Sequence, residues 1–243
     1  MLEKVVKLIQ SNKKILFKIM LIKKIINKFK GIYLDVYFKF NKKILFKDKY
    51  GLSYYLYKNT RPKDTFNVGV RTDDTTVLYV IDKILSLPNS TNDDPIHCID
   101  VGSFIGVITL MMSKTLQKNK KKWKVHSFEP FQETFERLQK NVNLYDFKNN
   151  IILNNLAVSD TPDIKTIKSY PNAPGQNHIE INTLQNKATN YQNTVKVITL
   201  RDYMNENDIN HVYICKIDTE GLDNLVIRGL YEYLESRSIN YFI

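Results

Sequence analysis

The run Cys98-Ile99-Asp100-Val101-Gly102-Ser103-Phe104-Ile105-Gly106 puts a carboxylate and two glycines at the end of an apolar strand, just before an apolar helix starts at Val107. A turn of that kind directs backbone N–H groups and a positive helix terminus to the carboxyl end of a strand, where α/β sheets bind nucleotide-like ligands. Trp123 to Pro130 reads as the next strand and ends in Glu129-Pro130. An acid at that strand tip suits a ribose diol, which two hydrogen bonds would hold. His211 to Gly221 delivers Asp218 and Glu220 to the same rim. Asn150 to Val158 reads as a single strand ending near small residues such as Ala157, suited to lie beside a flat adenine-like ring.

These residues need a sheet whose strands all point their carboxyl ends at one cleft. Phe131, Phe135, Leu138 and Val142 recur at helical spacing after the Glu129 strand. Further upstream, Lys43 to Lys58 alternates apolar and polar residues around Asp48-Lys49-Tyr50-Gly51, the pattern of a β-hairpin. Asp73 to Leu87 has helical periodicity with Val77, Val80, Ile81, Ile84 and Leu85 inward, and Pro88 to Pro95 is a polar loop. Thr161 to Asn193, with Pro162, Pro171, Pro174 and Gly175, is expected to be irregular, either shaping an acceptor pocket through Tyr170, Asn177 and His178 or lying as a surface loop. The organisation expected is a basic extension over 1–42, a hairpin and helix over 43–95, and a ligand-binding domain over 96–243.

A nicotinamide dinucleotide site would need G-x-G-x-x-G. Position 104 is Phe, and Gly102 and Gly106 lie four apart, so that fingerprint fails.

Five segments together resemble the FkbM-type S-adenosylmethionine-dependent methyltransferases, over roughly Tyr50 to Ile243. They are Asp100-Val101-Gly102-Ser103-Phe104-Ile105-Gly106, Ser127-Phe128-Glu129-Pro130 with Thr134-Phe135 and Leu138, Ala157-Val158-Ser159-Asp160, Val197 to Tyr203, and Lys216-Ile217-Asp218-Thr219-Glu220-Gly221. The resemblance implies an α/β fold, a Rossmann-like class I methyltransferase sheet with helices on both faces. It implies S-adenosylmethionine as cofactor, with Asp100, Gly102 and Ser103 near its methionine part and Glu129 on its ribose; Val101, Gly106, Pro130 and Ala157 complete the residues expected to bind it. It also puts Gly69 to Thr72 where the family closes over the donor, and the strands of Cys98 and Cys215 side by side, so that both are read as buried thiols. The chain departs from the family in having Ser103-Phe104 where a small residue and Asn are common, and Leu222-Asp223 where Ala-Glu is usual. Ser238 to Ile243 reads as the fifth strand, so the sheet is expected to lack the last two strands of this class, through truncation or with the edge covered in a homodimer.

Charge narrows the partners. Residues 1–50 hold fourteen lysines and three acids, which is the whole net charge of +11, and the remainder is balanced. A neutral body argues against a nucleic-acid substrate lying across the site. The basic segment has Ile15, Ile19, Ile22, Ile26 and Phe29 at helical spacing, with Lys14, Lys18, Lys24 and Lys28 largely opposite. Its apolar runs fall far short of the ~20 residues that span a bilayer. Residues 1–30 are read as packing on the catalytic domain or a second subunit, or else as a peripheral contact with an anionic membrane. The expected location is cytoplasmic, with membrane association as the alternative.

The chemistry expected is attack of an acceptor hydroxyl, on a sugar, glycan or small metabolite, on a sulfonium methyl group. Asp218 is the first candidate base and His178 the second, with Asp218 equally suited to cap the helix that begins near Leu222. No spacing of ligands calls for a metal, although Asp218, Glu220 and Asp223 cluster. His97, His126 and His211 read as structural. The alternative to an enzyme is a family member that keeps the fold as a binding scaffold.

Overall fold

The computed structural model describes residues 36–48, 50–57, 72–87, 95–118, 122–168, 178–179, 192–219 and 221–243. Residues 1–35 of the basic extension, Gly69 to Arg71, Tyr170, Asn177 and Glu220 lie outside the described residues.

Strands β1 (Lys43–Lys47) and β2 (Ser53–Tyr57) form the predicted antiparallel hairpin, Lys43 opposite Tyr57 and Lys47 opposite Ser53. Its turn is closed by Asp48, whose Oδ1 accepts from the N–H groups of Tyr50 at 2.9 Å and Leu52 at 2.8 Å. Helix α1 (Thr72–Ser86) follows. Leu78, Ile81 and Leu85 are its buried residues, at 3-to-4 spacing, whereas Val80 is 37% exposed. Val80 was expected inward, but it lies one step off the stripe that faces the core.

The central unit alternates strand and helix: β3 (Ile96–Val101), α2 (Val107–Lys118), β4 (Trp123–Phe128), α3 (Gln132–Val142) and β5 (Ile151–Asn154). Strand β6 (Ala157–Val158) comes next, then β7 (Asp163–Lys168), β8 (His178–Ile179) and β9 (Gln192–Ile198). The chain finishes with α4 (Leu200–Glu206), β10 (Val212–Ile217), α5 (Asp223–Arg228), α6 (Tyr231–Glu235) and β11 (Ile239–Phe242).

A five-stranded parallel sheet, ordered β11-β10-β3-β4-β5, carries the site. Strands β3, β4 and β10 are buried almost end to end, as expected of parallel strands with both faces covered. One face packs Cys98, Val125 and Ile214 against α1, α2 and the hairpin, whose Leu52, Tyr54 and Leu56 are fully buried. The other packs Ile99, Val101, Phe128 and Cys215 against Leu200, Tyr203, Met204 and Val226. Cys98 pairs in register with Ile214, and Cys215 with Ile99. The thiols thus occupy adjacent strands, as expected, but point to opposite faces, which rules out a disulfide between them. Burial pushes both thiols up to about 12.

Two expectations about the middle of the chain are corrected. Asn150 to Val158 is not one strand: β5 ends at Asn154 and β6 starts at Ala157 in a second sheet, ordered β6-β9-β7-β8. The break coincides with Asn155, whose Nδ2 donates to the carbonyls of Glu129 at 2.9 Å and Pro130 at 3.1 Å and so turns the chain toward α3. The ends of the Thr161 to Asn193 segment are also ordered, because β7 pairs antiparallel with β9, Asp163 opposite Val197 through Lys168 opposite Gln192. The β-branched residues in both stretches, Ile164, Thr166 and Ile167 in β7 and Thr194, Val195, Val197 and Ile198 in β9, favour that pairing. Ala157, Val195 and Val197 then cover Phe131 at the start of α3.

Asn141 joins hairpin to sheet. Fully buried, it accepts from the Tyr55 N–H at 2.7 Å and donates to the Ile105 carbonyl at 2.8 Å, linking β2 to the glycine turn. Asn141→Leu leaves a backbone donor and a backbone acceptor buried and unpaired. It is expected to lower unfolding free energy by roughly 2–4 kcal/mol in urea titrations, with one cooperative transition retained.

Candidate active site

The turn between β3 and α2 is built of two glycines for steric reasons. At Gly102, φ is 75° and a Cβ would sit 1.8 Å from the Asp218 carbonyl oxygen; at Gly106, φ is 96° and a Cβ would meet Leu138 Cδ1 at 2.6 Å. A side chain at Gly102 would have to displace the backbone just past the end of β10, whereas at Gly106 only the end of the Leu138 side chain stands in the way and the left-handed φ is what favours glycine. Phe104 between them is also left-handed, at φ 50°, an uncommon conformation for an aromatic residue. Its N–H donates to Glu129 Oε2 at 2.9 Å, and its ring packs on the core, which together offset the strain.

The turn's first N–H groups are directed at the tip of β4. Gly102 and Ser103 both donate to the Phe128 carbonyl, at 3.0 and 2.9 Å. Glu129 completes the junction, its Oε1 accepting from the Phe131 N–H at 3.0 Å. The side chain is 5% exposed, and burial pushes its carboxyl up to about 7 against the two N–H bonds and the Lys216 charge, which pull it down.

Below the turn lies a buried polar cluster. Asp100, Ser127 and Lys216 face one another across β3, β4 and β10. Thr109 Oγ1 donates to Asp100 Oδ2 at 2.6 Å and lies 3.0 Å from Ser127 Oγ. Ser127 Oγ donates to Ser103 Oγ at 2.6 Å, and Ser103 Oγ donates to the Asp100 carbonyl at 2.7 Å. Lys216 Nζ donates to the carbonyls of Val101 at 3.2 Å and Gly102 at 3.0 Å. Asp100 Oδ1 has no hydrogen-bond donor; the Lys216 ammonium, 3.2 Å away, meets it as an ion pair outside hydrogen-bond geometry.

The predicted residues therefore separate by role. Asp100, Val101, Gly102, Ser103, Gly106 and Glu129 come together at the carboxyl ends of β3 and β4, with the Asp100 carboxylate fully buried beneath the turn. Pro130 lends its carbonyl to Asn155, and Ala157 is buried behind Phe131. Asp218 is exposed at the end of β10, its N–H donating to the Val101 carbonyl at 3.1 Å. It does not cap α5; Asp223 makes the local contacts there, accepting from the Thr219 N–H at 2.7 Å and hydroxyl at 2.6 Å. His178 opens β8 in the second sheet. Among the described residues no group of His, Cys, Asp or Glu is arranged to hold a metal ion.

Sequence reasoning did not single out Lys216, Thr109 and Ser127 as site residues. Their signal was present: each is a polar residue inside an otherwise apolar strand or helix face, a placement that requires buried partners.

A parallel sheet in this order, with a glycine turn after β3 and an acid at the tip of β4, defines a Rossmann-like methyltransferase architecture. The sequence profile described as the methyltransferase FkbM domain matches residues 100–243, and the chain belongs to that family. Among solved structures it is similar to the methyltransferase FkbM from Methylobacillus flagellatus KT, at 13% identity and a TM-score of 0.41, covering 72% of this chain and 41% of that one. It is also similar to the SAM-dependent methyltransferase from Agrobacterium tumefaciens, at 8% identity and a TM-score of 0.41, covering 72% and 39%. A third is the human methyltransferase 10 domain containing protein, at 14% identity and a TM-score of 0.33, covering 67% and 54%. The chain thus spans about two fifths of the length of the first two. No curated protein matches it.

Two stability outcomes follow from the buried charges. Lys216→Met strands the Asp100 carboxylate and is expected to cost about 3–5 kcal/mol, part of which Asp100→Asn in the same chain restores, as read by urea denaturation. Glu129 has its ordinary value of 4.5 raised to about 7, so the folded protein keeps a proton that the unfolded chain releases. That contribution is complete below pH 4.5 and is lost as pH rises to about 7. His126, lowered from 6.5 to about 3 by burial, works the other way, adding stability as pH rises between those values. The difference in unfolding free energy between parent and Glu129→Gln isolates the carboxylate, and it is expected to fall by about 3 kcal/mol across its window.

Proposed function

We propose that the chain is an S-adenosylmethionine-dependent O-methyltransferase acting on a hydroxyl of a sugar, glycan or small metabolite. Glu129 carries this reading. Each of its oxygens accepts one backbone N–H, which leaves each a further acceptor position, the pattern a vicinal diol requires. The buried oxygen of Asp100 without a hydrogen-bond donor also lies on this side of the sheet, so the residues present fit a donor with a ribose at β4 and its amino-acid part at the glycine turn.

S-adenosylmethionine, when bound, supplies an electrophilic methyl group on a positively charged sulfur. The chain's own residues would do the rest. Lys216 holds the Val101 and Gly102 carbonyls and so fixes the turn. Asp218, exposed beside Gly102, would orient the acceptor hydroxyl, take its proton and pass it to water. Alignment of the reactants supplies most of the acceleration and the base a modest share. The scaffold reading gains support from no specific contact in the site.

By calorimetry the parent is expected to bind S-adenosylmethionine, and Glu129→Ala to weaken binding by about tenfold or more through loss of both acceptor oxygens. Asp218→Asn is expected to leave donor affinity intact and to lower kcat on a hydroxylated acceptor by about a hundredfold. A folded parent that binds no donor would turn the assignment to a scaffold.

A further inference from the structure

On the face of the sheet opposite the Lys216 cluster, three side chains with ring nitrogens or a phenol run in line from β3 to α4. His97 Nδ1 lies 2.9 Å from His126 Nε2, and His126 Nδ1 lies 2.8 Å from the Tyr203 hydroxyl. The two imidazoles stack with ring centroids 5.2 Å apart. Tyr203 in turn receives an N–H from Asn154 Nδ2 at 3.3 Å. Asn154 is the last residue of β5, and its backbone carbonyl accepts the Glu129 N–H at 3.1 Å. His97 is partly exposed, whereas His126 and Tyr203 are buried.

We propose that His97, His126 and Tyr203 form a one-directional hydrogen-bond chain that positions Asn154 beside Glu129, and that protonation of His97 reverses it. Only the role of Glu129 in holding a donor rests on the methyltransferase reading; the hydrogen-bond chain does not.

The direction is set from the Asn154 end. Besides Tyr203, its Nδ2 faces the carbonyls of Ser127 at 3.3 Å and Ile152 at 3.4 Å, which only accept, so the amide nitrogen belongs there. The Tyr203 oxygen thus receives a proton from Asn154, and its own single proton goes to His126 Nδ1. A neutral imidazole has one N–H. It must sit on Nε2 of His126 and point at a bare Nδ1 of His97.

His126 itself stays neutral. The charged and titratable groups acting on it are His97 from β3, Lys124 on its own strand and Tyr203 from α4; burial first, then His97 and Lys124, hold it down to about 3. A proton gained by His97 places Nδ1–H against Nε2–H. Relief requires His126 to shift its proton from Nε2 to Nδ1, so one proton is gained at His97 and one moves on His126. The Tyr203 oxygen then faces N–H groups from both His126 and Asn154, with no acceptor in the chain for its own proton. The Asn154 amide must turn to present Oδ1, giving up the carbonyls of Ser127 and Ile152.

The test uses the full chain, labelled with nitrogen-15, without any donor. Long-range proton–nitrogen spectra report the His126 tautomer and the Asn154 side-chain amide from about pH 5 to pH 8. Expected is the Nε2–H form of His126 at high pH, replaced by Nδ1–H as His97 titrates, with the Asn154 amide signals moving at the same midpoint. Tyr203→Phe removes the group that fixes the direction. It is expected to raise the proton affinity of His97 about threefold or more and to uncouple the Asn154 signals from it. A His126 tautomer unchanged through the His97 titration, or Asn154 signals that ignore it in the parent, overturns the proposal. So does a His97 midpoint identical in parent and variant. Failure of S-adenosylmethionine to bind would leave these spectra unaffected and would count against the methyltransferase reading alone.

Discussion

The Lys216 ammonium, buried beneath the glycine turn, is the interaction on which the site depends. It spans the tips of β3 and β10, bonded to the Val101 and Gly102 carbonyls and paired with Asp100. A charged group that far from water persists only where fixed acceptors replace its hydration. Those acceptors are the main chain of the turn, so satisfying the lysine and shaping the turn are one event. The close approach of Gly102 to the Asp218 carbonyl, which leaves no room for a Cβ, is its steric counterpart.

The two sheet faces divide the remaining work. On the Lys216 face, serine and threonine hydroxyls carry hydrogen bonds from Asp100 to Ser103 and so to the start of α2. On the opposite face, apolar packing from α4 and α5 surrounds the histidine and tyrosine contacts that end at Asn154. Glu129 sits where the two systems meet, tied to Phe104 on one side and, through its backbone, to Asn154 on the other. The hairpin belongs to the same framework, since Asn141 carries its position to Ile105.

The glycine turn and the Glu129 strand tip both lie within residues 100–243, the span that matches the methyltransferase FkbM domain. The second sheet packs Ala157, Val195 and Val197 against Phe131 at the start of α3, two residues after Glu129.

Periodicity and residue type determined much by themselves. The strands β3, β4 and β10, the hairpin and the stripe of α3 were legible because burial of a parallel strand or one helix face demands apolar runs at fixed spacing. The placement of Gly102, Glu129 and Asp218 just past the ends of β3, β4 and β10 was legible because each directly follows an apolar run of strand length. Tertiary structure decided the rest. It divided Asn150 to Val158 between two sheets, paired β7 with β9, and turned Val80 outward in favour of Leu78. It also set the Asp218 capping alternative aside and brought Lys216, Asp100, Thr109 and Ser127 into one cluster. These outcomes rest on contacts between residues far apart in the chain, and a local pattern carries no record of which distant carbonyl or hydroxyl will meet a buried polar group.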